Sequence, residues 1–188
     1  SHVYETGNFD ASGTDPAAWS FTPNSTGRWI RAIATHGTTD SPGGIAYRTR
    51  REVSIRDGLG RSLLDETWLC TGASSYTRVA WVATTRDALG RATAVRRSDG
   101  TLAETTWSCC GPESETAADG TLAEYAYDID KRLVLTLREG VSGGQWPAQP
   151  DIFTTNVYNA AGNLLASSTL AGGLSRSTSR AYDMLGRV

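Results

Sequence analysis

Acidic side chains at a fixed distance from a glycine are the first candidates for chemistry in this sequence. Asp57, Asp87 and Asp183 each stand three residues before a glycine, Gly60, Gly90 and Gly186, and Asn159 stands likewise before Gly162. Asp128 has Lys131 in the glycine's place. Recurrent carboxylates could act as general acids or bases. Their fixed place before Gly points instead to turn capping, because an Asp or Asn at the first corner accepts hydrogen bonds from backbone N–H groups just ahead of it. Two His leave few options for a triad. No Gly-rich phosphate loop opens a helix, no His pair has metal spacing, and no nucleophile elbow is present. The expectation is a protein with no catalytic residues, no metal and no cofactor, and an enzyme domain is the least favoured reading.

The three cysteines are Cys70, Cys109 and Cys110. Trp68-Leu69-Cys70 and Trp107-Ser108-Cys109 share a Trp-x-Cys spacing that puts Trp and Cys on one face of a strand. Such thiols suit the role of small buried hydrophobes. The alternatives are a disulfide from Cys70 to one of the pair, a vicinal Cys109–Cys110 bond, or a metal site for which His36 is remote in sequence and lacks recognisable spacing. Of the six Trp, Trp68, Trp81 and Trp107 fall within strand-like runs and are expected in a core. Trp19, Trp29 and Trp146 fall in or beside loops. There an exposed indole could stack on a flat apolar ligand face such as a sugar, so these three are the speculative binding residues; the competing role is covering a sheet end.

The elements that position these residues repeat. Tyr182-Asp183-Met184-Leu185-Gly186-Arg187 recurs in degenerate form from Tyr158, Tyr127, Arg86 and Arg56. Asp first and Gly fourth is a type I pattern, and a left-handed Gly then closes a hairpin with a bulge. Gly60, Gly90, Gly162 and Gly186 are therefore expected at positive φ. The Arg that follows could reach back toward the Asp. Lys131 should cost about 1 kcal/mol in that geometry, so its turn is expected to be remodelled.

Between turns the pattern has the period of strands. Leu133, Leu135 and Leu137 share one face, and Val79, Trp81 and Ala83 another, with Thr, Val, Tyr and Trp abundant. Strands are expected at 46–56, 61–70, 75–86, 91–98, 101–109, 121–127, 132–139, 152–158, 163–170 and 174–182. Gly-rich breaks at Asp99-Gly100, Asp119-Gly120, Gly140 to Gly144 and Gly172-Gly173 form the second kind of turn. Asp-Gly between such runs is a strong hairpin signal. Gly111 to Ala118 reads as a bulged loop. Residues 1–44 read as a loop-rich segment with one or two short strands, one of them at 29–36, and a short helical turn near Asp15 to Trp19. Residues 45–188 read as the repeat region. The fold class expected is all-β, an antiparallel meander of hairpins.

Tyr-Asp-x-x-Gly-Arg, repeated with strand-like sequence between copies, resembles the YD repeat of the RHS family. Only Tyr182 to Arg187 matches at every position; Arg56 and Arg86 replace the Tyr, and Asn163 replaces the Arg. The resemblance implies a scaffold: part of a β-sheet shell that spirals around a hollow, in a secreted or cell-surface bacterial protein. It also implies partners, namely other YD repeats of the same chain and an enclosed C-terminal toxin. Some members are linked to carbohydrate, which makes a surface glycan-binding module the alternative. The family's self-cleaving core is not in this sequence, so no cleavage role passes to these Asp residues. A net charge of −2 gives no footprint for nucleic acid. No run of eighteen apolar residues would insert in a bilayer. The sequence stops just after a turn that should open a strand, and is expected to be a piece of a longer protein. Strands 29–36 and 174–182 should then be bare edges, which pair with a second copy or hide beneath residues 1–28.

Overall fold

Alternating side chains and short turns give strands throughout the chain. The computed structural model describes residues 2–11, 15–36, 49–72, 75–141, 147–183 and 185–187. Two compact units are present, Ser1–Leu102 and Ala103–Val188. Both are antiparallel meanders, and among the described residues there is no α-helix. No helix there is long and apolar enough to cross a membrane.

The first unit holds β1 (His2–Asp10), β2 (Ser20–Pro23), β3 (Trp29–His36), β4 (Arg50–Arg56), β5 (Ser62–Gly72), β6 (Ser75–Arg86) and β7 (Ala92–Arg97). They lie in the order β7-β6-β5-β4-β3-β1-β2. Its core is a row across three strands, because Ile55 faces Leu64 and Leu64 faces Ala83. Leu64 is 1% exposed. Phe9, Trp19, Phe21 and Trp81 pack against that row.

The second unit contains β8 (Leu102–Trp107), β9 (Pro112–Thr116), β10 (Leu122–Tyr127), β11 (Leu133–Arg138), β12 (Ile152–Tyr158), β13 (Leu164–Ala171) and β14 (Leu174–Ser179). Each pairs with the next in sequence. At its end lies β14, all of whose residues are exposed.

Four expectations need correction. Residues 1–28 are less loop-like than their composition suggests. β1 is nine residues long and passes β2 to pair with β3. Its alternation is hidden because Glu5, Gly7 and Phe9 share a face, and only Phe9 among them is apolar. Strand 29–36 is consequently paired on both sides, by β1 and β4, so residues 1–28 do cover the edge expected there, as a paired strand and not as a loop, and β2 takes the edge. The short helical turn does occur, as a 3-10 turn at Pro16–Ala18.

The 111–118 stretch is the second correction. It contains β9, whose first residue is Pro112, a position where the missing N–H is tolerated. Its charged residues are accommodated because Glu113 is exposed and Tyr125 Oη donates to Glu115 Oε2 at 2.7 Å.

The third concerns the two turn classes. The Asp-Gly turns at 97–101 and 117–121 have the same three-residue geometry as the Asp-x-x-Gly turns. Gly100 N–H donates to Arg97 O at 3.0 Å and Gly120 N–H to Ala117 O at 2.9 Å. Only the glycines, at φ 86° and 83°, are left-handed there. The Asp has merely moved to the second loop position, where its carboxylate accepts the Thr101 or Thr121 N–H at 2.9 Å. Gly172 and Gly173 are both left-handed, at φ 55° and 82°, which is the two-residue hairpin form. The fourth is Lys131, which keeps the geometry of its turn.

Candidate functional site

The Asp-x-x-Gly turns form the most regular constellation of polar groups in each unit. At 57–61, Asp57 N–H donates to Arg61 O at 3.0 Å, and Gly60 N–H donates to Asp57 O at 2.9 Å. Asp57 Oδ1 accepts the N–H groups of Leu59 and Arg61, both at 2.9 Å, and Oδ2 accepts Arg61 Nε at 2.6 Å. One carboxylate therefore satisfies two loop amides and a guanidinium. The same three contacts recur at Asp87, Asp128 and Asp183. Asn159 keeps the backbone contact, since its Oδ1 accepts Asn163 N–H at 2.9 Å. The glycines expected in left-handed conformation are so: φ is 79° at Gly60, 80° at Gly90, 86° at Gly162 and 75° at Gly186.

Lys131 does not remodel its turn. It sits at φ 64°, and its N–H donates to Asp128 O at 2.9 Å as a glycine's would. The Asp128 contacts and the closing Asp128–Arg132 bond over-determine the loop, so the residue bears the strain. Lys131→Gly should relieve about 1–2 kcal/mol of left-handed strain. Added unfolded-state freedom takes back about 0.4–1 kcal/mol. The expected net gain is about 0.5–1 kcal/mol in urea unfolding, and a loss of stability would contradict this assignment of strain.

Within each unit, successive turns are also tied to one another. At three of the five turns the residue before the Asp or Asn reaches the carbonyl just past the preceding turn. Tyr158 Oη donates to Leu133 O at 3.0 Å, and Tyr182 Oη donates to Leu164 O at 3.0 Å. In the first unit Arg86 stands in the Tyr position and does the same work, with Nη2 donating to Ser62 O at 3.1 Å. Arg132 reaches the other way, donating from Nη1 to Asn159 O at 3.0 Å. Its guanidinium also lies over the Tyr158 ring, 5.2 Å from the centroid. The first and last residues of the motif thus lace adjacent turns into a ladder. Sequence alone identified the capping Asp and Gly. It did not identify this cross-turn role of Tyr and Arg, whose signal is their spacing from turn to turn.

The turn carboxylates are held in the charged form. At Asp57 and Asp87 burial works against ionisation, but the Arg N–H and guanidinium of the same turn outweigh it and lower the pKa. At Asp128 and Asp183 the backbone N–H of Arg132 or Arg187 is the main cause of the lowering. At Asp99 and Asp119 it is the N–H of Thr101 or Thr121. A carboxylate with a lowered folded pKa stabilises the fold above its unfolded value, about 3.9. That contribution is lost as pH falls through the folded value. Stability should therefore be level above about pH 5 and decline steadily below about pH 4. Asp128→Asn should take up fewer protons on acid unfolding, giving a shallower slope, whereas an unchanged slope would contradict the assignment. Carboxylates lowered by structural hydrogen bonds are poor candidates for proton transfer near neutrality.

Two of the speculative binding residues come together. Trp19 and Trp29, both half-buried, line a cleft of about 360 Å³ with Phe9, Arg61 and Arg86. The Phe9 ring meets Trp19 at 5.7 Å and Trp29 at 6.0 Å, both edge to face. Trp146 lies outside the described residues. Trp68, Trp81 and Trp107 are half-buried as well, so no indole among the described residues is wholly in a core. Trp68 Nε1 donates to Glu66 Oε2 at 3.0 Å. All three cysteines are thiols: Cys70 is buried on β5, Cys109 is exposed and Cys110 is half-buried. Among the described residues no group of three or more His, Cys, Asp or Glu could hold a metal ion. The chain matches no family model and no curated protein.

Proposed function

We propose that this chain is a structural β-sheet scaffold, a stretch of shell wall from a secreted or surface bacterial protein of the RHS/YD-repeat kind. The observation that carries the reading is the ladder of turns. The Asp of four turns spends its carboxylate on its own loop, and within each unit a flanking Arg or Tyr, Arg86, Arg132, Tyr158 or Tyr182, reaches a neighbouring turn. The arrangement propagates a sheet hairpin by hairpin, as repeat architectures do. Its polar groups are consumed by structure. On this reading the wall pairs with further YD repeats and encloses a C-terminal toxin domain of the same polypeptide. Limited proteolysis of such a polypeptide tests it. A domain following the sheet should resist protease until the sheet unfolds, and cleavage at the rate of the isolated domain would contradict enclosure.

The second reading is a carbohydrate-binding surface module, favoured by the cleft of Phe9, Trp19 and Trp29. Titration with soluble oligosaccharides, followed by Trp fluorescence, separates the two. Saturable binding that is lost in Trp19→Ala would favour the module. No saturable change across the panel would favour the wall.

A further inference from the structure

We propose that Cys109 and Cys110 form a redox-active vicinal dithiol that reduces a low-molecular-weight disulfide and closes into a disulfide of its own. The two cysteines occupy the centre of the tight turn joining β8 to β9. Ser108 N–H donates to Gly111 O at 2.9 Å and closes the turn. Ser108 Oγ also donates to Gly111 O at 3.0 Å and accepts Cys110 N–H at 3.3 Å. One serine therefore fixes the backbone on both sides of the pair. Consecutive in sequence and held at the centre of this turn, the two cysteines carry their thiols on adjacent residues.

Their surroundings divide the labour. Cys109 is exposed and Cys110 is half-buried. The hydrogen bond to Cys109, followed by burial, pushes the Cys110 thiol up and keeps it protonated. Cys109 is thus the attacking group and Cys110 the resolving one. The Cys109 thiolate attacks one sulfur of the small disulfide, breaks its S–S bond and expels the other half, which takes up a proton. Cys110 then gives up its proton, attacks Cys109 Sγ and releases the second half as a thiol. Two protein thiols are oxidised and one disulfide is reduced to two thiols, through the usual mixed-disulfide intermediate.

The turn can report its state to the fold. Gly111 lies so close to Tyr127 that a Cβ there would sit 2.3 Å from the hydroxyl oxygen. Tyr127 is the residue before the Asp of the 128–132 turn, so the cysteine turn packs against the strand end that leads into it.

The test is to expose the native reduced protein to oxidised glutathione, then count thiols after unfolding and measure the intact mass. The count should fall from three, the number of cysteines in the chain, to one. The mass should drop by two hydrogens, with no glutathione retained. Cys110→Ser should stop at a stable glutathione adduct on Cys109. Fragment mapping should place the bond within the peptide that carries both residues. Retention of all three thiols, a stable glutathione adduct on the unmutated protein, or a bond to Cys70 would each overturn the proposal.

Discussion

Leu64→Ala is expected to destabilise the first unit by about 2–5 kcal/mol, the usual cost of truncating a fully buried leucine. Leu64 is 1% exposed and lies directly between Ile55 and Ala83 on the neighbouring strands. The aromatic cap of Phe9, Trp19 and Phe21 rests on the same row. The cap is tied to the sheet by β1 pairing, and Gly27 lies directly against the Gly7 backbone, so it cannot readily sink into a cavity. The expected value therefore sits in the upper half of the range. Leu69→Ala, on the same strand but 43% exposed, should cost far less. Urea unfolding of the two variants gives the comparison, and equal losses would mean that the Ile55–Leu64–Ala83 row is not the core.

Gly90→Val should cost about 2–3 kcal/mol. Left-handed backbone costs an ordinary residue about 1–2 kcal/mol, and a β-branched one resists it further. At φ 80° the new Cβ would also fall 1.3 Å from Arg61 Nη1. The guanidinium must then swing away while its Nε remains paired with Asp57. Gly60→Val meets nothing within 4 Å and has nearly the same φ, 79°. It isolates the backbone cost, and the difference between the variants measures the crowding between turns. A Gly90→Val protein as stable as the parent would sink the turn assignment.

Much of this architecture was legible because its signals are local. Asp-x-x-Gly sets a turn through contacts spanning four residues, and period-two runs such as Leu133 to Leu137 can be nothing but strands. What escaped is non-local or two-sided. β1 pairs past β2, and no local pattern announces that crossing. β9 mixes Pro112 with two glutamates, so neither hydrophobicity nor β-propensity marks it. Lys131 was expected to yield because the local cost was visible and the surrounding hydrogen bonds were not. The Asp-Gly pairs suggested a different turn because dipeptide chemistry does not say which loop position the Asp holds. In the candidate cleft, Trp19 and Trp29 were legible as loop-side aromatics. Phe9, which contacts both, was not, since it belongs to the strand that the composition disguised.

The ladder is the centre of the account, and hydrogen exchange in Tyr158→Phe tests it most directly. That change removes only the hydroxyl that donates to Leu133 O, a bond worth about 0.5–1.5 kcal/mol. If adjacent turns are laced, the amides of Asp130 and Arg132, held by Asp128 in the preceding turn, should exchange faster along with those of the 159–163 turn. A factor of about 2–10 is expected from that energy. Faster exchange confined to 159–163, with Asp130 and Arg132 unchanged, would mean that the Tyr158 hydroxyl does not couple the two turns, and would contradict its place in the ladder.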